Sequence, residues 1–124
     1  MSSIVLIIAA VLASLTIILG AFGAHAFKKF LPEEKLASFE VGVRYQMYAA
    51  LALLIIGYQA DFTEYAVRLA AYGIILGTLL FSGSIYLLAF ANHWKVNFRF
   101  LGPITPLGGL FMIIGWIALL VSFC

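Results

Sequence analysis

Residues Leu69–Trp94 read LAAYGIILGTLLFSGSIYLLAFANHW, a run without a lysine, arginine, aspartate or glutamate. The hydrocarbon core of a bilayer is about 30 Å thick and a helix rises about 1.5 Å per residue, so about 20 apolar residues cross it. This run is longer than that. Three others share its character, Met1–Phe27, Tyr45–Ala60 and Phe100–Cys124, and every charge in the chain falls in the three short segments between them. The pattern predicts an all-α fold: a four-transmembrane-helix bundle with spans at about residues 4–27, 41–60, 67–91 and 103–123, in a single integral membrane domain covering residues 1–124.

Composition points the same way. Hydrophobic residues make up 65% of the chain and charged residues 10%, where a soluble domain carries about 25% charged residues. In 124 residues there is room for four spans and short links and for little else. The net charge of +2 is scattered, with no basic stripe and no interleaved aromatic platform, which excludes nucleic acid as a partner. The lipid bilayer is the expected one. The one cysteine, Cys124, allows no intramolecular disulfide and no cysteine-based metal site. The first run lacks a positively charged start and exceeds a signal core of about 7–15 residues, so it is read as a span.

The basic residues set an orientation. Lys28, Lys29, Lys35 and Arg44 lie in the first linker and Lys95 and Arg99 in the third, against Arg68 alone in the second. Positive charge near span ends favours the cytoplasmic side, so linkers one and three are expected inside, with both termini and linker two outside. The second span is awkward, because Tyr45–Ala60 is short for a bilayer. Pro32, Glu33 and Glu34 look like a helix start, with carboxylates on the positive end of the helix dipole. Leu36, Phe39 and Val43 then recur at helical spacing, and Glu40 and Arg44 stand four apart in the favourable order for an ion pair. The expectation is a short amphipathic interfacial helix at about residues 32–44 that runs into span two, with Arg44 snorkelling to the headgroups.

Within lipid, helices associate through small residues and a few polar contacts. Ala70, Gly73, Gly77 and Ser84 fall on one face of span three, and Gly73 with Gly77 forms a Gly-x-x-x-Gly pair. Gly20 and Gly23 on span one, and Gly108, Gly109 and Gly115 on span four, are further packing candidates. Packing within one chain and dimerisation are both open readings of this stripe. Span four begins Gly102–Pro103–Ile104–Thr105–Pro106, which predicts a tight or distorted helix entrance, with Pro106 falling where a hydrogen bond would otherwise form.

On this topology several polar residues reach one depth near the cytoplasmic side. His25 ends span one; Arg44, Tyr45 and Gln46 begin span two; Ser82, Ser84 and Tyr86 lie late in span three; Thr105 begins span four. Such convergence is what a solute, ion or lipid site needs. The same residue types also serve as interface anchors and helix-to-helix bonds. His25 is the candidate for proton exchange near neutral pH. His93, beside Trp94, reads as interfacial. Two histidines without a convergent carboxylate make a poor metal signature, so no metal and no cofactor is expected. No phosphate-cradling glycine loop, nucleophile elbow or His-Glu-x-x-His is present, the spans contain no acid, and no catalytic residue can be named.

Four segments together resemble a known family: Gly20–His25 (GAFGAH), Tyr45–Leu54 (YQMYAALALL), Phe81–Tyr86 (FSGSIY) and Leu101–Gly109 (LGPITPLGG). The chain is similar to domain-of-unknown-function family 423, the YgdD-like small membrane proteins, over nearly its whole length. The resemblance implies a four-span protein of the bacterial inner membrane, with relatives in mitochondria-bearing cells and no established activity. Family members commonly carry a histidine after the Tyr-Gln-x-x segment, where this chain has Ala49. A mechanism built on paired histidines would therefore lack one of them here. The expected role is that of a non-catalytic accessory subunit of a larger membrane complex or a self-associating scaffold. The alternative is a small-solute, ion or lipid-handling protein that uses the polar cluster.

Overall fold

The computed structural model describes residues 2–29, 31–95, 97 and 99–124. It contains four long helices: α1 (Ser2–Ala26), α2 (Glu33–Gln59), α3 (Tyr65–Trp94) and α4 (Ile104–Ser122). Single 3-10 turns follow α1 (Phe27–Lys29) and precede α4 (Arg99–Leu101). By length and apolar content each helix can cross a membrane, over Ser3–Gly23, Glu33–Gln59, Tyr65–Ala91 and Arg99–Ser122. The side chain of His93 lies outside the described residues.

Consecutive helices run antiparallel, and the packed pairs among the described residues are α1 with α2, α2 with α3 and α3 with α4. The order is a folded row, in which α1 and α4 share no packed interface. At its centre Leu53 of α2 and Ile74 of α3 are fully buried among Val5, Ala9, Ala49 and Ala71. The outward faces are apolar as well, with Ile7, Leu79, Ile117 and Phe22 all more than half exposed. An aqueous surface does not carry apolar side chains around its whole girth, and a lipid-facing one does.

The structure draws no separate interfacial helix. Glu33–Gln59 is one unbroken rod of 27 residues, about 40 Å long. The apolar side of its first turns finds protein to pack against. Phe39 lies in a cluster with Leu31, Ala89 and Phe90, and its ring meets Phe27 at 5.2 Å and Tyr86 at 5.0 Å between centroids. Phe27 in turn meets Phe90 edge-on at 4.8 Å. Such aromatic pairs contribute about 0.5–1.5 kcal/mol each beyond simple burial. With that anchor the first turns need not bend away along the membrane. This continuity also answers the shortness of the second apolar run, since a charged amphipathic end extends it.

The α2–α3 linker is tied down locally. The Asp61 carboxylate accepts from the Thr63 hydroxyl at 2.6 Å and the Thr63 N–H at 2.9 Å. The hydroxyl chiefly, and then the N–H, holds that carboxyl below the usual carboxylate range. Arg68 reaches back from the first turn of α3 to donate to the carbonyls of Phe62 (2.9 Å) and Thr63 (3.1 Å). Lys95, just past α3, holds a left-handed φ of 57°, the conformation that commonly ends a helix and that glycine adopts at least cost.

The entrance to α4 is tight without losing a helical bond at Pro106. Pro103 caps the helix, and the Leu107 N–H donates to the Pro103 carbonyl at 3.3 Å. Pro106 precedes that bond, so its missing N–H falls among the first-turn donors that no helix satisfies internally.

Candidate functional site

Glycines set how closely α3 and α4 approach. A Cβ placed on Gly77 would lie 2.6 Å from the Met112 nitrogen and 2.7 Å from the Gly108 carbonyl oxygen. One on Gly73 would sit 2.9 Å from the Gly115 Cα, and one on Gly115 would sit 2.9 Å from the Ala70 carbonyl. A Cβ on Gly108 would overlap the Phe81 nitrogen. The two backbones therefore touch along Gly73, Gly77, Gly108 and Gly115, and no side chain fits between them. Gly109 is different: its added Cβ would meet only the Phe81 ring, at 3.8 Å. Gly20 also has ordinary room, 3.5 Å from Val43, while Gly23 is closer, 3.1 Å from the Phe27 and Phe39 rings.

Two glycines with no sequence partner matter equally. A Cβ on Gly42 would lie 2.8 Å from the Tyr86 ring, and one on Gly57 would lie 2.7 Å from Leu6. Each lets α2 approach a neighbour, Gly42 towards α3 and Gly57 towards α1. Neither belongs to a Gly-x-x-x-Gly pair, and neither stood out in the sequence as a packing candidate.

The polar residues expected in one layer separate into three sets. The first crosses three helices. Gln46, 4% exposed, donates from Nε2 to the Leu12 carbonyl at 3.0 Å, and its Oε1 accepts from the Tyr86 hydroxyl at 2.6 Å. The Thr16 hydroxyl donates to the same Leu12 carbonyl at 2.7 Å, and Ser82 donates to the Gly42 carbonyl at 2.8 Å. The second set lies between α3 and α4, where the hydroxyls of Ser84 and Thr105 are hydrogen-bonded to each other and Ser84 also donates to the Phe81 carbonyl at 3.0 Å. This contact pins the entrance of α4 to α3. The third set points outward. His25 and Arg44 are exposed, and Tyr45 packs its ring on Tyr48 and Phe81, at 5.5 and 5.2 Å.

His25 therefore does not meet Gln46 or Ser84. It stands in the last turn of α1, where a cation would favour the negative end of the helix dipole. Among the described residues no group of three or more His, Cys, Asp or Glu side chains comes together to hold a metal. Ala49 is buried in the central apolar cluster. Thr78 escapes the pattern of satisfied polar groups: it is 1% exposed, and its hydroxyl has no hydrogen-bond partner among the described residues. Such an orphan costs about 1–3 kcal/mol. What sequence reasoning missed in this region is chiefly backbone: the carbonyls of Leu12 and Gly42 are key acceptors, and every residue carries a carbonyl.

Four membrane-length helices, outward apolar faces and internally paired polar groups define the class: a small polytopic membrane protein. The chain belongs to the protein-of-unknown-function family DUF423, whose family model matches residues 19–109. It is 43% identical to a UPF0382 membrane protein of Staphylococcus haemolyticus, over 83% of this chain and 80% of that one. The UPF0382 membrane protein YwdK of Bacillus subtilis is 39% identical over 94% of this chain and 93% of its own. That of Haemophilus influenzae is 38% identical over 82% and 77%. No solved structure matches the chain.

Proposed function

We propose that this protein is a non-catalytic component of the bacterial inner membrane, with both termini outside, that works by associating with another membrane-spanning chain: a subunit of a larger complex or a second copy of itself. The observation that supports this reading is a groove of ≈ 530 Å³ on the outward face between α2 and α4, bordered by Tyr45, Tyr48, Ala49, Gly109, Ile113 and Trp116. Small residues beside it allow close backbone approach, and the aromatic rings at its edges supply broad contact area. Gly109 is the one glycine of its pair that the α3–α4 seam leaves unused.

The solute-handling alternative has less support. It needs free polar groups on a shared surface, and Gln46 and Ser84 are buried and already bonded within the chain.

A photoactivatable side chain placed at Ile113, compared with one at the exposed Leu79 of α3, tests the proposal in living membranes. A discrete protein adduct from position 113, absent at 79, is the expected result. Lipid adducts alone at both positions would contradict it.

A further inference from the structure

A second groove, of ≈ 280 Å³, lies between the later part of α1 and the first turns of α2. Its apolar wall is Leu19, Gly20, Leu36 and Val43, and two opposite charges, Glu40 and Arg44, stand along it. Gly20 leaves that wall open, the nearest side-chain atom to its added Cβ being Val43 at 3.5 Å. Both Glu40 and Arg44 are exposed, and neither makes a hydrogen bond or ion pair within the described residues. The favourable pairing expected from their spacing is not drawn. Both charged heads are available to a ligand.

We propose that this groove binds a bilayer glycerophospholipid whose headgroup carries both a phosphate and a primary ammonium, with Arg44 taking the phosphate and Glu40 the ammonium. The order of charges carries the inference. Arg44 adjoins the apolar run that begins at Tyr45, and Glu40 stands four residues, about 6 Å, farther from it. In such a lipid the phosphate is esterified to glycerol beside the acyl chains, and the ammonium sits at the free end of a two-carbon bridge. Protein and lipid thus present complementary charges in the same sequence from hydrocarbon outward. Guanidinium matches phosphate with paired N–H donors, and a carboxylate accepts from an ammonium. The glycerol end of one acyl chain then lies against Leu19 and Val43, the apolar lining nearest Arg44, while Leu36 borders the groove beyond Glu40.

The surrounding charge makes this a sharp claim. Lys28, Lys29 and Lys35 lie in the same region of the chain, and a basic cluster by itself selects anionic lipid. An anionic headgroup without an amine leaves the Glu40 carboxylate facing negative charge. The proposal stands independently of the α2–α4 association above.

The test offers purified full-length protein, in mild detergent, equimolar phosphatidylethanolamine and phosphatidylglycerol with matched acyl chains, and counts retained lipid by native mass spectrometry. Wild type is expected to retain phosphatidylethanolamine about two- to fivefold over phosphatidylglycerol, the range that a partly solvated ion pair supplies. Glu40→Gln should bring that ratio to one or below, Arg44→Gln should weaken both lipids, and Arg44→Lys should restore much of the phosphatidylethanolamine binding. Equal retention by wild type, a phosphatidylglycerol excess, or a ratio that persists in Glu40→Gln overturns the proposal. The wild-type ratio decides even if a variant fails to fold.

Discussion

Gln46 is the residue through which three helices are tied together. Its amide donates to α1 at Leu12 and accepts from α3 at Tyr86, so one side chain satisfies groups on both neighbours. The two bonds are unequal in what their loss exposes. Tyr86→Phe removes a hydroxyl and leaves Gln46 still bonded to α1, at an expected cost of about 0.6–1.7 kcal/mol. Gln46→Ala also leaves a cavity and strands the Tyr86 hydroxyl, and should cost about 1–3 kcal/mol. Because both changes break the same bond, the double variant should cost less than the sum by about 0.5 kcal/mol or more. Unfolding in mild detergent measures the cycle, and strict additivity would show that the bond contributes nothing. The sequence made Gln46, Ser82 and Tyr86 visible as polar residues at similar depth. It could not show that their partners are the carbonyls of Leu12 and Gly42, nor that His25 and Arg44, at the same expected depth, face outward.

At the scale of elements, the α3–α4 pair is held by backbone contact, and this part of the packing was the most legible. Gly73 and Gly77 share a helical face by spacing alone, and a glycine-rich span four offers them a counterpart. The register of that counterpart was not readable. Gly108 and Gly109 are neighbours in sequence, yet Gly108 faces the seam and Gly109 the outer groove. Gly108→Ala puts a methyl group into the α3 backbone and should destabilise by about 1–3 kcal/mol, the usual cost of overpacking. Gly109→Ala meets only an ordinary van der Waals contact and gains helix propensity, so it should be neutral or stabilising by up to about 1 kcal/mol. Thermal unfolding of the two variants in one detergent checks the contrast, and equal effects would show that the seam is wrongly registered. The extent of α2 was less legible, because the partners that hold Phe39 come from distant parts of the chain. Phe27 and Phe90 pack against Phe39, and the segment expected at the interface forms the first turns of one continuous helix.

For the whole molecule, hydropathy gave the number of helices because a bilayer imposes a minimum length on any crossing. It gave nothing about which helices lie side by side. The folded row, with lateral grooves that include those at α2–α4 and α1–α2, follows from where small residues permit contact and where aromatic residues border a groove. Orientation rests on the basic linkers, and Arg68, the one basic residue of the second linker, spends its charge on the carbonyls of Phe62 and Thr63. Both the association proposed at α2–α4 and the lipid site proposed at α1–α2 require four crossings. Cys124 is exposed and is the only cysteine in the chain, so the native protein already carries a single label site. The most direct measurement treats intact cells with a membrane-impermeant maleimide, using wild type and two Cys124→Ser proteins that carry either Thr63→Cys or Ser38→Cys. Four crossings with both termini outside predict labelling at positions 124 and 63 in intact cells, and at 38 only after permeabilisation. Labelling of 38 in intact cells, or protection of either 124 or 63, would contradict the account.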